Sequence, residues 1–164
     1  MKRSQQEVDA LLAELEQAHG LGGINPDRGQ LLELLSDDSD RADGTRPLLY
    51  VNLLRFYDHA RYPAGHELAE AGMSGEQAYT LYGIAALAEV EKRGGCLPLW
   101  GTAEQLVIGE TDDWDQVAVV QYPDREAFID MIRDPDYQAS LVHRTAGLEK
   151  TVVIITRSLL HGAA

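Results

Sequence analysis

A single cysteine, Cys96, excludes an internal disulfide and fits a reducing cytoplasm. Long apolar runs are missing too, since nothing approaches the roughly 20 residues that a membrane-spanning helix needs. The opening segment MKRSQQEVDALLAELEQ has no apolar core of signal-peptide length. Basic residues are scarce, 14 against 27 acidic ones, for a formal net charge of -13. Such a surface suits neither nucleic-acid phosphates nor anionic lipid, and it serves solubility instead. There is no P-loop, no G-x-G-x-x-G after a strand and no G-x-S-x-G, so nucleotide use and serine hydrolysis have no support. His59 and His66 share a loop with Asp58 and Glu67 but match no standard ligand spacing. Neither a metal nor a cofactor is expected.

What remains is an ordinary globular composition, 45% apolar and 25% charged over 164 residues. Residues 1–46 read as a helical extension with an acidic linker, and 47–160 as the main domain. Ser4 and Glu7 form a capping-box pair and Gly20 offers a stop. Val8, Leu11, Leu12 and Leu15 fall on one stripe between them, which predicts an amphipathic helix over 5–18. Asn25-Pro26 predicts the start of a second short helix carrying Leu31, Leu32, Leu34 and Leu35. The segment SDDSDRADGTRP is acidic, turn-rich and poor in large apolar groups.

LLYVNLLRF predicts the first strand, over 48–56. Ser74 and Gln77 make another capping pair for a helix that runs to Gly94-Gly95. CLPLWGTAEQLVIG, interrupted by Pro98 and Gly101, predicts a bulged or edge strand, and WDQVAVVQY a third strand. Asp124 and then Asp134-Pro135 start two consecutive helices. KTVVIITRSL is the last strand. The order β-α-β-β-α-β is that of a ferredoxin-like α+β fold, with one antiparallel four-stranded sheet and helices on one face. The other face then needs a cover.

Taken in order, LYVNLLRF, SGEQAYTLYGIAA, LWGTAEQLVIGE and WDQVAVVQYPDREAFIDMIRDPDYQASLVHRTAGLEKT resemble the domain-of-unknown-function 1330 family, within the dimeric α/β-barrel superfamily. The resemblance covers about residues 29 to 160. It implies a homodimer whose two sheets face each other and bury the bare faces. It also implies a ligand cavity between the sheet and its own helices. The superfamily includes cofactor-free monooxygenases, isomerases and haem enzymes, so fold alone does not name a reaction. In the haem-degrading members an asparagine on the first strand points into the cavity, and Asn52 matches it. The rest of that pattern fails, because Met131 and Leu141 stand where a catalytic tryptophan and a haem-ligating histidine would be.

Strand parity puts Tyr50, Asn52, Leu54 and Phe56 on one face, and Leu49, Val51, Leu53 and Arg55 on the other. Asn52 is thus a ligand-facing amide or a buried structural one. Arg55 either binds an anionic ligand or pairs with a nearby carboxylate. His143 is a candidate acid or base and Arg144 a candidate anion holder; alternatively both contact acidic neighbours. Tyr79, Tyr82, Tyr122 and Trp100 are either the wall of a pocket for a flat organic molecule or simply core. Tyr82 joins Asn52 and His143 as a catalytic candidate. If the protein is an enzyme, cofactor-independent oxygenation or isomerisation suits these residues. The competing function is a non-catalytic module whose N-terminal helix stripe meets a partner.

Overall fold

The computed structural model describes residues 3–37, 46–110 and 113–159. Helix α1 (Gln5–His19) opens at Ser4, whose side chain accepts the Glu7 amide while Glu7 returns to the Ser4 backbone. This satisfies two of the donors that a helix start leaves orphaned. Helix α2 (Arg28–Ser36) starts two residues later than Asn25-Pro26 suggested. Asp27 is its N-cap, in a second reciprocal box with Gln30. Gln30 stands at the third helical position and closes the box on Asp27, whereas Asn25 would meet Arg28 there, which leaves Pro26 outside the helix. Asn25 instead ties down the turn, donating from Nδ2 to the His19 carbonyl at 2.8 Å. The centre of the expected acidic linker, 38–45, lies outside the described residues.

Strand β1 (Leu48–Phe56) leads to α3 (Gly75–Lys92), then β2 (Cys96–Thr102), β3 (Gln116–Tyr122), α4 (Arg125–Arg133), α5 (Pro135–Gly147) and β4 (Leu148–Arg157). The strands form one antiparallel sheet in the order β2-β3-β1-β4. Its topology is the one expected from the sequence. Strand β2 is an edge strand whose register shifts between Cys96 and Leu99, around Pro98. It ends at Thr102, and the apolar LVIG that follows lies beyond the sheet.

Val8, Leu12, Leu15, Leu31 and Leu35 of the two N-terminal helices share one core with Leu48, Tyr50, Val90, Tyr122 and Met131. Ion pairs add to this contact, Glu14 with Arg133 at 2.7 Å and Asp37 with Arg125 at 2.8 Å. The extension is therefore packed as part of the fold. Helices α3 and α5 meet where Gly75 and Gly147 bring their backbones together. A Cβ on Gly147 would lie 2.3 Å from the Gly75 carbonyl oxygen.

The sheet face away from the helices carries Leu49, Val51 and Leu53 beside Val117, Val119, Val152, Ile154 and Leu99. Among the described residues nothing covers it, and Leu99, Val152 and Ile154 are 49%, 38% and 51% exposed. Among the described residues no helix is long and apolar enough to cross a membrane.

Candidate functional site

Between the helix-facing side of the sheet and its helices lies a cleft of about 690 Å³. Tyr50, Asn52, Ala118 and Tyr122 form its floor, and Tyr79, Tyr82 and Gly83 of α3 form one wall. Trp100 reaches over from β2 against Gly83, so closely that a Cβ there would lie 2.6 Å from the indole ring. Helix α5 contributes Tyr137, Leu141 and Arg144. Thr151, Val153 and Ile155 of the edge strand β4 line it as well.

Asn52 holds its amide toward the floor. Nδ2 donates to the Tyr50 carbonyl at 2.8 Å and to the Ala118 carbonyl at 3.4 Å. Both partners are pure acceptors, so the amide orientation is fixed by chemistry. Its Oδ1 accepts no hydrogen bond among the described residues. Beside it the Tyr82 and Tyr137 hydroxyls share a hydrogen bond at 2.9 Å. Burial pushes the Tyr137, Tyr122 and Tyr79 hydroxyls above their usual range, so each stays protonated at neutral pH. The site thus offers neutral hydroxyls, one open amide oxygen and aromatic faces.

The N-terminal extension supplies a further wall. His19 lines the cleft, with Nε2 2.7 Å from the Ile132 carbonyl. Burial lowers its pKa, so at neutral pH it is the neutral ring that donates from Nε2. Arg144 holds the adjoining turn by donating to the Ile24 carbonyl at 2.7 Å and to Asn25 Oδ1 at 3.0 Å.

Residues 55–158, more than half of the chain, match a family model described as "Domain of unknown function (DUF1330)". The chain belongs to the DUF1330 family. It is similar to the RPA0582 protein of unknown function from Rhodopseudomonas palustris, at 30% identity and a TM-score of 0.72 over 85% of this chain and 99% of that one. The structure of methylated RPA0582 matches at 32% identity and a TM-score of 0.63, over 77% of this chain and 94% of that one. A match over 85% is longer than residues 47–164 supply, so the likeness reaches into the N-terminal extension. No curated protein matches the chain.

Of the residues singled out from the sequence, the cleft brings together Asn52, Tyr79, Tyr82, Trp100, Tyr122 and Arg144. Arg55 and His143 lie elsewhere. Arg55 sits at the end of β1, bonded to Glu149 at 3.0 Å and to the Asp113 carbonyl at 2.7 Å, as its ion-pair reading anticipated. His143 faces the loop after β1, with Nδ1 2.8 Å from the Tyr62 hydroxyl. His66 stacks on Tyr62 at 4.6 Å, and its Nδ1 accepts the Leu68 amide. Burial and the neighbouring His66 lower the His143 pKa.

Among the described residues one set of side chains has metal-ligand proximity: Glu89, Asp134 and Asp136. Arg93 already serves as its cation, 2.6 Å from Glu89 and 2.8 Å from Asp134. That contact, with the Asp136 amide, holds the Asp134 carboxyl below its usual range.

Sequence reasoning missed His19, Ile24, Asn25 and Tyr137, three of which precede the residues matched by the DUF1330 model. A histidine in the last turn of a helix reads as a partner for the helix dipole, which hid its second position beside the cleft.

Proposed function

We propose that this DUF1330 protein binds a small, flat organic molecule, aromatic or anionic, in the cleft between sheet and helices. The observation that carries the reading is Asn52. A polar side chain on the floor of an aromatic cleft, with its amide bonded and its carbonyl oxygen open, is an arrangement for orienting a ligand. The volume and the mixture of apolar walls with a few polar groups are those of a small-molecule site. If chemistry follows binding, the hydrogen-bonded Tyr82–Tyr137 hydroxyl pair suits stabilising a developing oxyanion, as cofactor-independent oxygenation or isomerisation requires.

The bare sheet face supports a homodimer, with the sheets of two copies packed together into a barrel. Eight apolar side chains in one patch are an unusual surface for a monomer. The competing interaction-module reading loses its main feature. Val8, Leu12 and Leu15 are buried within the chain's own core and offer no stripe to a partner.

Native mass spectrometry of the protein as purified tests both parts. Twice the chain mass with added small-molecule mass supports them, and the added mass should be lost or weakened in Asn52→Leu while the dimer persists. A monomer would sink the barrel. A ligand retained equally by wild type and Asn52→Leu would remove Asn52 from the site.

A further inference from the structure

Two arginines line the cleft, and they are treated differently. Arg125 is paired with Asp37 at 2.8 Å. Two further arginines with largely buried side chains are paired too, Arg3 with Glu126 and Arg93 with three carboxylates. Arg144 is not. It is partly buried, and among the described residues no carboxylate lies within ion-pair distance of it. Its two hydrogen bonds go to neutral oxygens, the Ile24 carbonyl and Asn25 Oδ1.

In a chain with 27 acidic residues, a partly buried guanidinium without a counter-ion leaves a positive charge unspent. That charge is felt inside the cleft, where it acts on Tyr79, Tyr137 and His19. A guanidinium has five donors in a planar fork. Two are used by the turn, which fixes the side chain and leaves three for a ligand. The surface charge of -13 opposes anions at a distance, but salt screens it over about 10 Å, whereas a contact inside the cleft is screened far less.

We infer that Arg144 is the anion-binding residue of the cleft, held in position by the Ile24–Asn25 turn of the N-terminal extension, and that the ligand is a flat organic carboxylate. This rests on the cleft reading given above. The carboxylate takes the free edge of the guanidinium, and the flat body lies among Tyr79, Tyr82 and Trp100. The extension thereby completes the site, since the turn that orients Arg144 belongs to it.

The test is calorimetric titration of the full chain with a matched pair, 1-naphthoate and neutral 1-naphthamide, at fixed ionic strength. The carboxylate is expected to bind at least tenfold tighter than the amide, about 1.4 kcal/mol. In Arg144→Gln that preference falls below threefold, and in Arg144→Lys, which keeps the charge but not the fork, it is intermediate. Equal binding of both probes to the wild type overturns the inference and leaves the cleft reading standing. A preference that survives in a folded Arg144→Gln also overturns it. Should Arg144→Gln not fold, the wild-type comparison and Arg144→Lys still decide. Binding of neither probe at millimolar concentration overturns the cleft reading and this inference with it.

Discussion

Leu15→Ala puts the role of the N-terminal extension to a quantitative test. Leu15 is 0% exposed and belongs to the core cluster that contains Leu48, Tyr122, Met131 and Ile132. Truncation removes three carbons, a transfer loss of about 2.4 kcal/mol at about 0.8 kcal/mol per carbon. The void adds to this, because main-domain side chains on the far side collapse only in part. The expected total is about 2–5 kcal/mol. With a urea slope of about 1–3 kcal/mol per molar, the midpoint should fall by roughly 1–2 M. The assay is urea denaturation at one fixed protein concentration, followed by far-ultraviolet circular dichroism and by tryptophan fluorescence. Both tryptophans, Trp100 and Trp114, lie in the main domain, so fluorescence reports on that part alone. If the shared core is cooperative, both signals shift together. An early loss of helical signal with an unmoved fluorescence midpoint would refute the reasoning, because the extension would then be melting by itself.

Three other expectations follow from the packing and charge. Gly147→Ala places a methyl group 2.3 Å from the Gly75 carbonyl oxygen and 2.7 Å from the Tyr79 amide nitrogen, both backbone. It should cost about 1–3 kcal/mol or more in thermal or urea unfolding, whereas Gly101→Ala, with nothing within 4 Å, should stay within about 0.5 kcal/mol. Arg93→Met removes the guanidinium shared by Glu89, Asp130 and Asp134, and leaves Glu89 and Asp134, at 11% and 17% side-chain exposure, with only the longer contacts to the more exposed Lys92. A loss of about 3–5 kcal/mol is expected at pH 7, shrinking at pH 4 as the carboxylates take up protons; an equal loss at both would dismiss the electrostatic cause. Burial lowers the folded-state pKa of His19, so below about pH 6.5 the unfolded chain binds the proton more readily. Stability attributable to this group is complete above that pH and declines as the pH falls through the lowered folded value. His19→Gln should therefore lose less stability than wild type between pH 7.5 and 5.5, and identical losses would clear His19 of the effect.

The legible parts of the fold are those governed by near neighbours. Ser4–Glu7 and Ser74–Gln77 each settle a helix start within four residues, and the structure closes both boxes. Asp27–Gln30 followed the same rule but was outshone by Asn25-Pro26, a cap beside a proline with no Glu or Gln three residues on to close a box. Alternation along LLYVNLLRF separated the two faces of β1 correctly, so Asn52 could be placed toward the helices. The same parity placed Arg55 on the opposite face, where Glu149 and Asp113 meet it. Tyr79 and Tyr82 shared a helix face by spacing, but not their roles. Tyr82 found Tyr137 from another helix, while Tyr79 packed against Phe56 at 5.1 Å.

By itself the sequence determined the elements, their order and the two faces of the sheet, because caps, turns and periodicity act over a few residues. It also excluded internal disulfides and long apolar spans by composition. The tertiary structure decided which of those residues share a cavity. His143 and Arg144 are neighbours in the chain, yet a helical step of roughly 100° sends one to the loop after β1 and the other to the cleft. Arg144 meets Asn25 across 119 residues, and no local pattern encodes that distance. The closure of the cleft by the N-terminal helices follows from burial of Leu12, Leu15, Leu31 and Leu35 against a core the main domain would otherwise leave open. A stripe of leucines announces that a helix will be buried, and only the packed chain tells against what.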